Sequence, residues 1–474
     1  KIKKSLHYIK FYNVNKLYII FKSGGINMSS LSTNKERLST SKEICARESE
    51  VLAKTQKLPY CPIAFKSGKG ALLYDYEGKE YIDLLASASS ANIGHGNEEV
   101  ADAVREQMAK LAQFSIVYFS CKEPVEYAEK LIELYPGDNN KKVLFSTTGS
   151  ESIDAAIKLV KGYTGRNKII SFNGAYHGST FGAISISAIS LNMRRKMGAM
   201  IPDVHHFNYP VCIKCPYGKC EESCNLECLK EIETAFSLYL PPEEVAAIFF
   251  EPIAGDAGII VPPKKYVQAL HELCKKHGIL FVVDEIQQAW GRSGKFFAIE
   301  NFDVEPDLIV MGKSSGGGLP MGIVMGKSEI MDSLDAPAHL FTMSGNSTVC
   351  AAALKMLEIF EREDLVEQSR VKGEYFKNKF LELQKKYPEI IKDVRGLGLS
   401  IGVDLCDKNT TTKIIYECQL NGLVLISLGE STLRVQPPLV ITYEQMDKSI
   451  EIIEQAIKDL IDGKISDEAL SVIN

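Results

Sequence analysis

The sequence contains no long hydrophobic run. Its most apolar N-terminal stretch, Leu17 to Phe21, falls far short of the roughly 18 apolar residues that a membrane-spanning helix needs, so a soluble protein is expected. It has no excess of positive charge either: 55 Lys and Arg stand against 60 Asp and Glu, for a formal net charge of -5. No broad field therefore draws it to nucleic acid or anionic lipid. With no secretory signal pattern, its 12 cysteines read as free thiols in a reducing cytoplasm rather than as a disulfide scaffold. A phosphate-gripping Walker loop is missing too. It would need glycine five positions before a Gly-Lys-Ser, and those positions hold Asp307 and Met321. Internal repeats and low-complexity segments are absent.

What is present is 474 residues, enough for one large domain and a smaller one. Residues 1–27 carry six lysines, no arginine and no acidic residue. They read as upstream sequence or an extension before a start at Met28, and lie outside fold reasoning. From about Asn140 to Lys327, short β-branched runs alternate with helical patterns, the pattern of a mostly parallel sheet covered by helices. The predicted strands are Val143 to Ser146, Ile169 to Phe172, Ala246 to Glu251, Leu280 to Asp284, Leu308 to Met311 and Gly322 to Met325. Tyr266, Ala269, Leu270, Leu273 and Cys274 fall on one helical face that can cover this sheet.

The tail predicts strands over Val394 to Leu405, Leu423 to Leu428 and Thr432 to Thr442, then a helix over Glu444 to Ile461. A Gly-punctuated hairpin pattern, Leu72 to Tyr76 and Tyr81 to Leu84, leaves open that this small α+β unit is built from both chain ends. The expected division is residues 28–95 and 366–474 for the small domain and 96–365 for the large one, with a cysteine-rich insertion at 210–228.

In an open α/β sheet, ligands collect past the carboxyl ends of strands. There the sequence delivers Asp284-Glu285 and, after Leu308 to Met311, Gly312-Lys313-Ser314 followed by Gly316, Gly317 and Gly318. A lysine so placed suits Schiff-base chemistry, in which a partly desolvated amine attacks a carbonyl. Alone it leaves a surface lysine open. Thr147-Thr148-Gly149-Ser150-Glu151 opens a helix whose free N–H groups bind phosphate, although ordinary N-capping explains Ser150 equally well. Tyr176-His177-Gly178 places an aromatic ring over a flat cofactor, or is a buried structural pair.

Together these elements resemble the class III aminotransferases of the fold-type I pyridoxal-phosphate (PLP) enzymes, over roughly Glu48 to Asp462. The resemblance is carried by Gly149-Ser150-Glu151, Tyr176-His177-Gly178, Glu251-Pro252-Ile253, Asp284-Glu285-Ile286-Gln287, Gly291-Arg292-Ser293-Gly294, Pro306-Asp307, Gly312-Lys313, Thr342 with Gly345-Asn346, and Arg434 before Pro437-Pro438-Leu439. It implies a mostly parallel large domain, PLP bound by Lys313 as a Schiff base, and Asp284 paired with the ring nitrogen so that the ring absorbs electrons from the substrate. It also implies Gln287 at the ring hydroxyl, Gly149 and Ser150 at the phosphate, Tyr176 stacked on the ring, and His177 and Glu251 in the same cofactor site. Thr342 would reach the phosphate of a neighbouring subunit, making the protein a homodimer or a dimer of dimers. Arg434, otherwise a surface arginine on an edge strand, would grip the substrate carboxylate through both arms of its guanidinium.

The resemblance implies amino-group chemistry on a small amino acid, with a 2-oxo acid as acceptor if the reaction is transamination. A transaminase of the 4-aminobutyrate or broad amino-acid type is the leading expectation. The alternative is an amino-acid racemase or 2-epimerase. Leu84 to His95, Ser190 to Gly198 and Leu334 to Thr342 resemble that branch, and Asp256 stands where many relatives carry Glu. In those relatives the longer Glu pairs with the carboxylate-binding arginine. The shorter Asp256 leaves open that it does not reach Arg434, stays free, and serves as a second acid/base opposite Lys313.

Cys212, Cys215, Cys220, Cys224 and Cys228 suit a tetrahedral metal site by residue type, but their spacing matches no standard finger, and packed thiols without a metal are the expectation. They alone support a remote third reading, a non-catalytic binding protein with a metal site.

Overall fold

The computed structural model describes residues 40–58, 60–219 and 223–472; residues 1–27 and Cys220, about which expectations were stated, lie outside them. A seven-stranded sheet forms the centre, in the order Lys141–Ser146, Gly322–Lys327, Leu308–Met311, Leu280–Asp284, Val245–Phe250, Lys168–Phe172 and Val204–Phe207. Gly322–Lys327 runs antiparallel to both neighbours and the remaining pairings are parallel. Every residue of Val245–Phe250 and Leu280–Asp284 is buried, because helices cover both faces. Each large apolar side chain so enclosed contributes roughly 1.5–3 kcal/mol.

The helices follow from their own ends. Thr148 caps Gly149–Thr164 by accepting from the Glu151 N–H at 3.3 Å, and Gly165 ends the helix in the left-handed conformation. Its buried Ile153, Ala156, Ile157 and Val160 face the sheet. Lys264–His277 buries Tyr266, Leu270, Leu273 and Cys274 and stops at left-handed Gly278. Among the described residues, no helix is long and apolar enough to cross a membrane.

Two four-stranded sheets lie outside this core. One orders Phe65–Lys69, Leu72–Asp75, Glu80–Asp83 and Leu423–Val424; the other orders Ile391–Leu397, Ser400–Leu405, Thr432–Val435 and Ile426–Leu428. The N-terminal hairpin thus takes its last strand from the C-terminal region, with Leu423 and Val424 parallel to Ile82 and Asp83.

Three strand expectations in the tail are corrected. Val394 to Leu405 is a hairpin rather than one strand: Gly398, with φ +54°, opens a two-residue turn between Leu397 and Ser400. Leu423 to Leu428 divides at Leu425, whose carbonyl accepts from Gln419 Nε2 at 3.0 Å, and its two halves join different sheets. The last strand ends at Val435 rather than Thr442, since Pro437 and Pro438 lack the N–H groups to continue it.

Candidate functional site

The carboxyl ends of the central strands converge on an enclosed cavity lined by Tyr176, Glu251, Ile253, Asp256, Asp284, Ile286, Gln287, Gln288 and Lys313. Larger openings exist, one of about 1000 Å³ beside Asn173 and Tyr239 and one of about 1600 Å³ beside Leu52 and Ile426. Neither gathers an amine, an aromatic ring and buried carboxylates, and that convergence makes this cavity the candidate active site.

Asp284 ends its strand with both oxygens engaged. Oδ1 accepts from the Ile286 N–H at 2.9 Å and Oδ2 from His177 Nδ1 at 2.7 Å. His177 is fixed in turn, its N–H donating to Ser187 Oγ at 2.9 Å. Burial alone would lower the imidazole, but the bond to Asp284 and the charges of Asp284 and Glu251 raise it above its ordinary value. Glu251 accepts from the N–H groups of Tyr176 at 2.9 Å and Gly255 at 2.8 Å. Burial pushes this carboxyl up to about 7, against the pull of His177. Ligand atoms of His177, Glu251 and Asp284 lie within 4.8 Å of one another, close enough to share a cation, and His177 Nδ1 there meets Asp284 Oδ2 directly.

Lys313 follows its strand in a left-handed conformation, φ +48°, and lines the cavity. Desolvation holds its amine below the ordinary lysine value. Arg434 adds to this, whereas Asp256, Asp284 and Glu251 oppose it. Gly312 packs against the start of the helix Gly149–Thr164: a Cβ on Gly312 would lie 3.2 Å from Gly149 Cα, and one on Gly149 would lie 2.8 Å from Ile286 Cδ1. Ser150 Oγ accepts from the Ser179 N–H at 3.0 Å. Gly178, at φ +134°, passes so close that a Cβ there would sit 2.3 Å from Ser150 Oγ.

Arg434 is 3% exposed. The structure corrects the expectation that Asp256 stays free: Arg434 Nη1 lies 3.3 Å from Asp256 Oδ1, and Gln287 Nε2 donates to the same oxygen at 2.9 Å. The shorter side chain still reaches because Asp256 sits in a tight loop, closed by the Gly258 N–H to Gly255 carbonyl bond at 3.1 Å.

Sequence reasoning missed two contributors. Ala86 to Ser89 form a left-handed turn, with φ between +48° and +67° at four non-glycine residues, at a cost of about 1–2 kcal/mol per residue. Asp83 Oδ1 braces it by accepting from the N–H groups of Leu85 and Ala86 at 2.7 and 2.9 Å, and the turn delivers Ser89 Oγ to Arg434 Nη2 at 3.4 Å. The fully buried Gln436 accepts from Arg434 Nε at 2.5 Å. No signal in the sequence marks the turn, and the only clue to Gln436 is a polar residue between Val435 and two prolines.

Thr342 stands apart from the cavity. It is exposed, and its carbonyl accepts from Gln113 Nε2 at 2.9 Å. Cys212 lies in a short turn and Cys228 on the helix Glu227–Leu238. Among the described residues, Cys212, Cys215, Cys224 and Cys228 form no group of three converging ligands.

The donor set fits PLP: N–H groups at a helix start for a phosphate, a carboxylate braced by an imidazole for a ring nitrogen, an amide, an aromatic ring and a desolvated amine.

The family model described as aminotransferase class-III matches residues 53–457. The chain is 43% identical to the isoleucine 2-epimerase of Lentilactobacillus buchneri over 423 residues, covering 87% of this chain and 94% of that protein. It is 40% identical to the leucine/methionine racemase of Thermococcus litoralis, covering 89% and 96% respectively. Among solved structures, a transaminase from the marine bacterium Virgibacillus superposes with a TM-score of 0.80 at 31% identity, covering 89% of this chain and 99% of that one.

Proposed function

The chain belongs to the class III aminotransferase family, and from that premise we propose that it is a PLP enzyme that inverts the α-carbon of an aliphatic amino acid, as a racemase or 2-epimerase. One observation carries this reading: Asp256 and Lys313 line the same cavity beside the carboxylate-binding candidate Arg434. Relatives named for isoleucine and for leucine or methionine support both the inversion and the aliphatic substrate. On that support we rank inversion first, where the sequence alone ranks transamination first.

When bound, PLP supplies an electron sink that lets the bond from the α-carbon to hydrogen break. The protein's own groups do the rest. The N–H groups at Gly149 and Ser150 hold the phosphate, Asp284 keeps the ring nitrogen charged, Gln287 meets the ring hydroxyl and Tyr176 covers the ring. His177 holds Asp284 from behind, and Glu251 fixes the loop carrying Tyr176. Arg434 takes the substrate carboxylate through both guanidinium arms, displacing Asp256. Lys313 Nζ removes the α-proton from one face, and Asp256, which takes up a proton from water after leaving Arg434, returns that proton to the other face. Thr342, exposed in the single chain, serves a second copy, and the exposed Tyr118 and Phe119 supply apolar surface for that contact.

The Asp256–Arg434 pair also favours a second reading, transamination, since it reproduces the acid–arginine pairing expected of transaminases in this family. Chiral chromatography of L-isoleucine, L-leucine and L-ornithine, incubated with PLP-loaded enzyme with and without 2-oxoglutarate, separates the two. Inverted product without 2-oxo acid is the expected result. Conversion only with 2-oxoglutarate, with glutamate appearing, would replace the proposal by the transaminase reading.

A further inference from the structure

Arg434, Gln436, Gln287 and Asp256 form a closed hydrogen-bond circuit. Arg434 Nε donates to Gln436 Oε1 at 2.5 Å, Gln436 Nε2 to Gln287 Oε1 at 3.3 Å, and Gln287 Nε2 to Asp256 Oδ1 at 2.9 Å, with Arg434 Nη1 closing the ring at 3.3 Å. Its polarity has a single solution. An arginine only donates and a carboxylate only accepts, so both amides are forced into one orientation. Gln436 is pinned from outside the ring as well: Ser89 Oγ donates to its Oε1 at 3.0 Å, its Nε2 donates to Ser400 Oγ at 2.8 Å, and its backbone N–H donates to the Leu84 carbonyl at 2.8 Å.

The three contacts of the guanidinium differ. The bond at Nε is short and fully buried, whereas the partners of Nη1 and Nη2, Asp256 at 3.3 Å and Ser89 Oγ at 3.4 Å, are long. A carboxylate binds such a fork best along one edge, with two parallel N–H···O bonds. Here Nε is occupied by a neutral acceptor that offsets none of the arginine charge, and the Nη1–Nη2 edge, which carries the Asp256 ion pair, holds the contacts that are easiest to replace.

We propose that Gln436 is a positioning residue for substrate: its amide fixes the plane of Arg434 so that the Nη1–Nη2 edge receives the α-carboxylate, while Gln287 retains Asp256 once it is displaced. This rests on the reading above that Arg434 binds the substrate carboxylate. Gln436 is fully buried and does not line the cavity, so its effect appears in carboxylate affinity and not in the chemical step.

The test uses the PLP-loaded enzyme and two probes: 4-methylpentanoate, which is leucine without its amino group, and 3-methylbutylamine, which is leucine without its carboxylate. In Gln436→Met the Kd of 4-methylpentanoate is expected to rise about tenfold, with that of 3-methylbutylamine unchanged. KM for L-leucine should rise in parallel, with kcat within about threefold of the original. Equal 4-methylpentanoate affinity in the variant, or equal weakening of both probes, overturns the proposal. If Gln436→Met fails to fold, Ser400→Ala, which removes only the hydroxyl holding Gln436 Nε2, decides: a weakening of about threefold confined to the carboxylate probe supports the proposal, and no change overturns it. An original enzyme that binds no 4-methylpentanoate and leaves L-leucine unaltered overturns the functional reading itself. Intact leucine chemistry with unaltered variant affinities overturns this inference alone.

Discussion

Asp256 and Arg434 form an ion pair at 3.3 Å, and Asp256 lines the same cavity as Lys313. The group proposed to return a proton and the group proposed to bind the substrate carboxylate therefore neutralise each other until substrate arrives. On that proposal an incoming carboxylate displaces Asp256 and frees it to act on the α-carbon. Asp256→Ala is accordingly expected to lower racemisation by at least about a hundredfold, the usual scale for a general acid or base, while any amino transfer to 2-oxoglutarate stays within about threefold. Chiral product analysis measures both, and unchanged inversion would remove Asp256 from the mechanism.

Arg434→Lys keeps the charge but loses the planar fork, and an ammonium cannot hold a carboxylate by two parallel bonds. KM for L-leucine should rise at least about tenfold, corresponding to ~1.4 kcal/mol of lost binding, with a smaller change in kcat. Steady-state kinetics on both enzymes decide the matter, and an unchanged KM would place the carboxylate elsewhere.

Gly178 combines φ +134° with a virtual Cβ 2.3 Å from Ser150 Oγ, whereas Gly429 has φ +55° and open space around it. Both alanine variants strain the backbone, but only Gly178→Ala also pushes on the helix start proposed to hold phosphate. We expect Gly429→Ala to cost about 1 kcal/mol and Gly178→Ala about 1–3 kcal/mol, with weaker PLP retention on dialysis for Gly178→Ala alone. Equal retention in the two would disconnect Gly178 from the phosphate site.

Glu285 is fully buried and accepts from the N–H groups of Ala298 at 3.0 Å and Ile299 at 2.8 Å. Burial outweighs those bonds and pushes its carboxyl from 4.5 up to about 8. The folded protein therefore holds this proton more tightly than the unfolded chain. The resulting stability is complete below about pH 4.5 and is lost as pH rises towards 8. Glu285→Gln should flatten the fall in Tm between roughly pH 5 and 8, read by calorimetry across a pH series. An unaltered slope would show that Glu285 is already ionised at pH 5.

The strands of the central sheet were legible because burial on both faces writes them as unbroken apolar runs, and Val245–Phe250 and Leu280–Asp284 are the clearest cases. Lys313 and Asp284 were legible for the same reason, being polar residues immediately after such runs. The edge strand Val204–Phe207 was not, since it carries His205 and His206 and pairs on one side only. The left-handed turn at Ala86–Ser89 was hidden because alanine and serine give no hint of positive φ. The reach of Asp256 to Arg434 joins residues 178 apart, a relation that no local pattern encodes.

The pairing of Ile82 and Asp83 with Leu423 and Val424 has a consequence for synthesis on the ribosome. The hairpin at residues 72–83 emerges before the central sheet, but the strand that completes its own sheet is made only after every strand of the central sheet. Throughout that interval the edge Glu80–Asp83 has unpaired backbone groups, the kind of edge to which other chains add. Until residue 424 leaves the exit tunnel, that edge stays open to pairing with a neighbour.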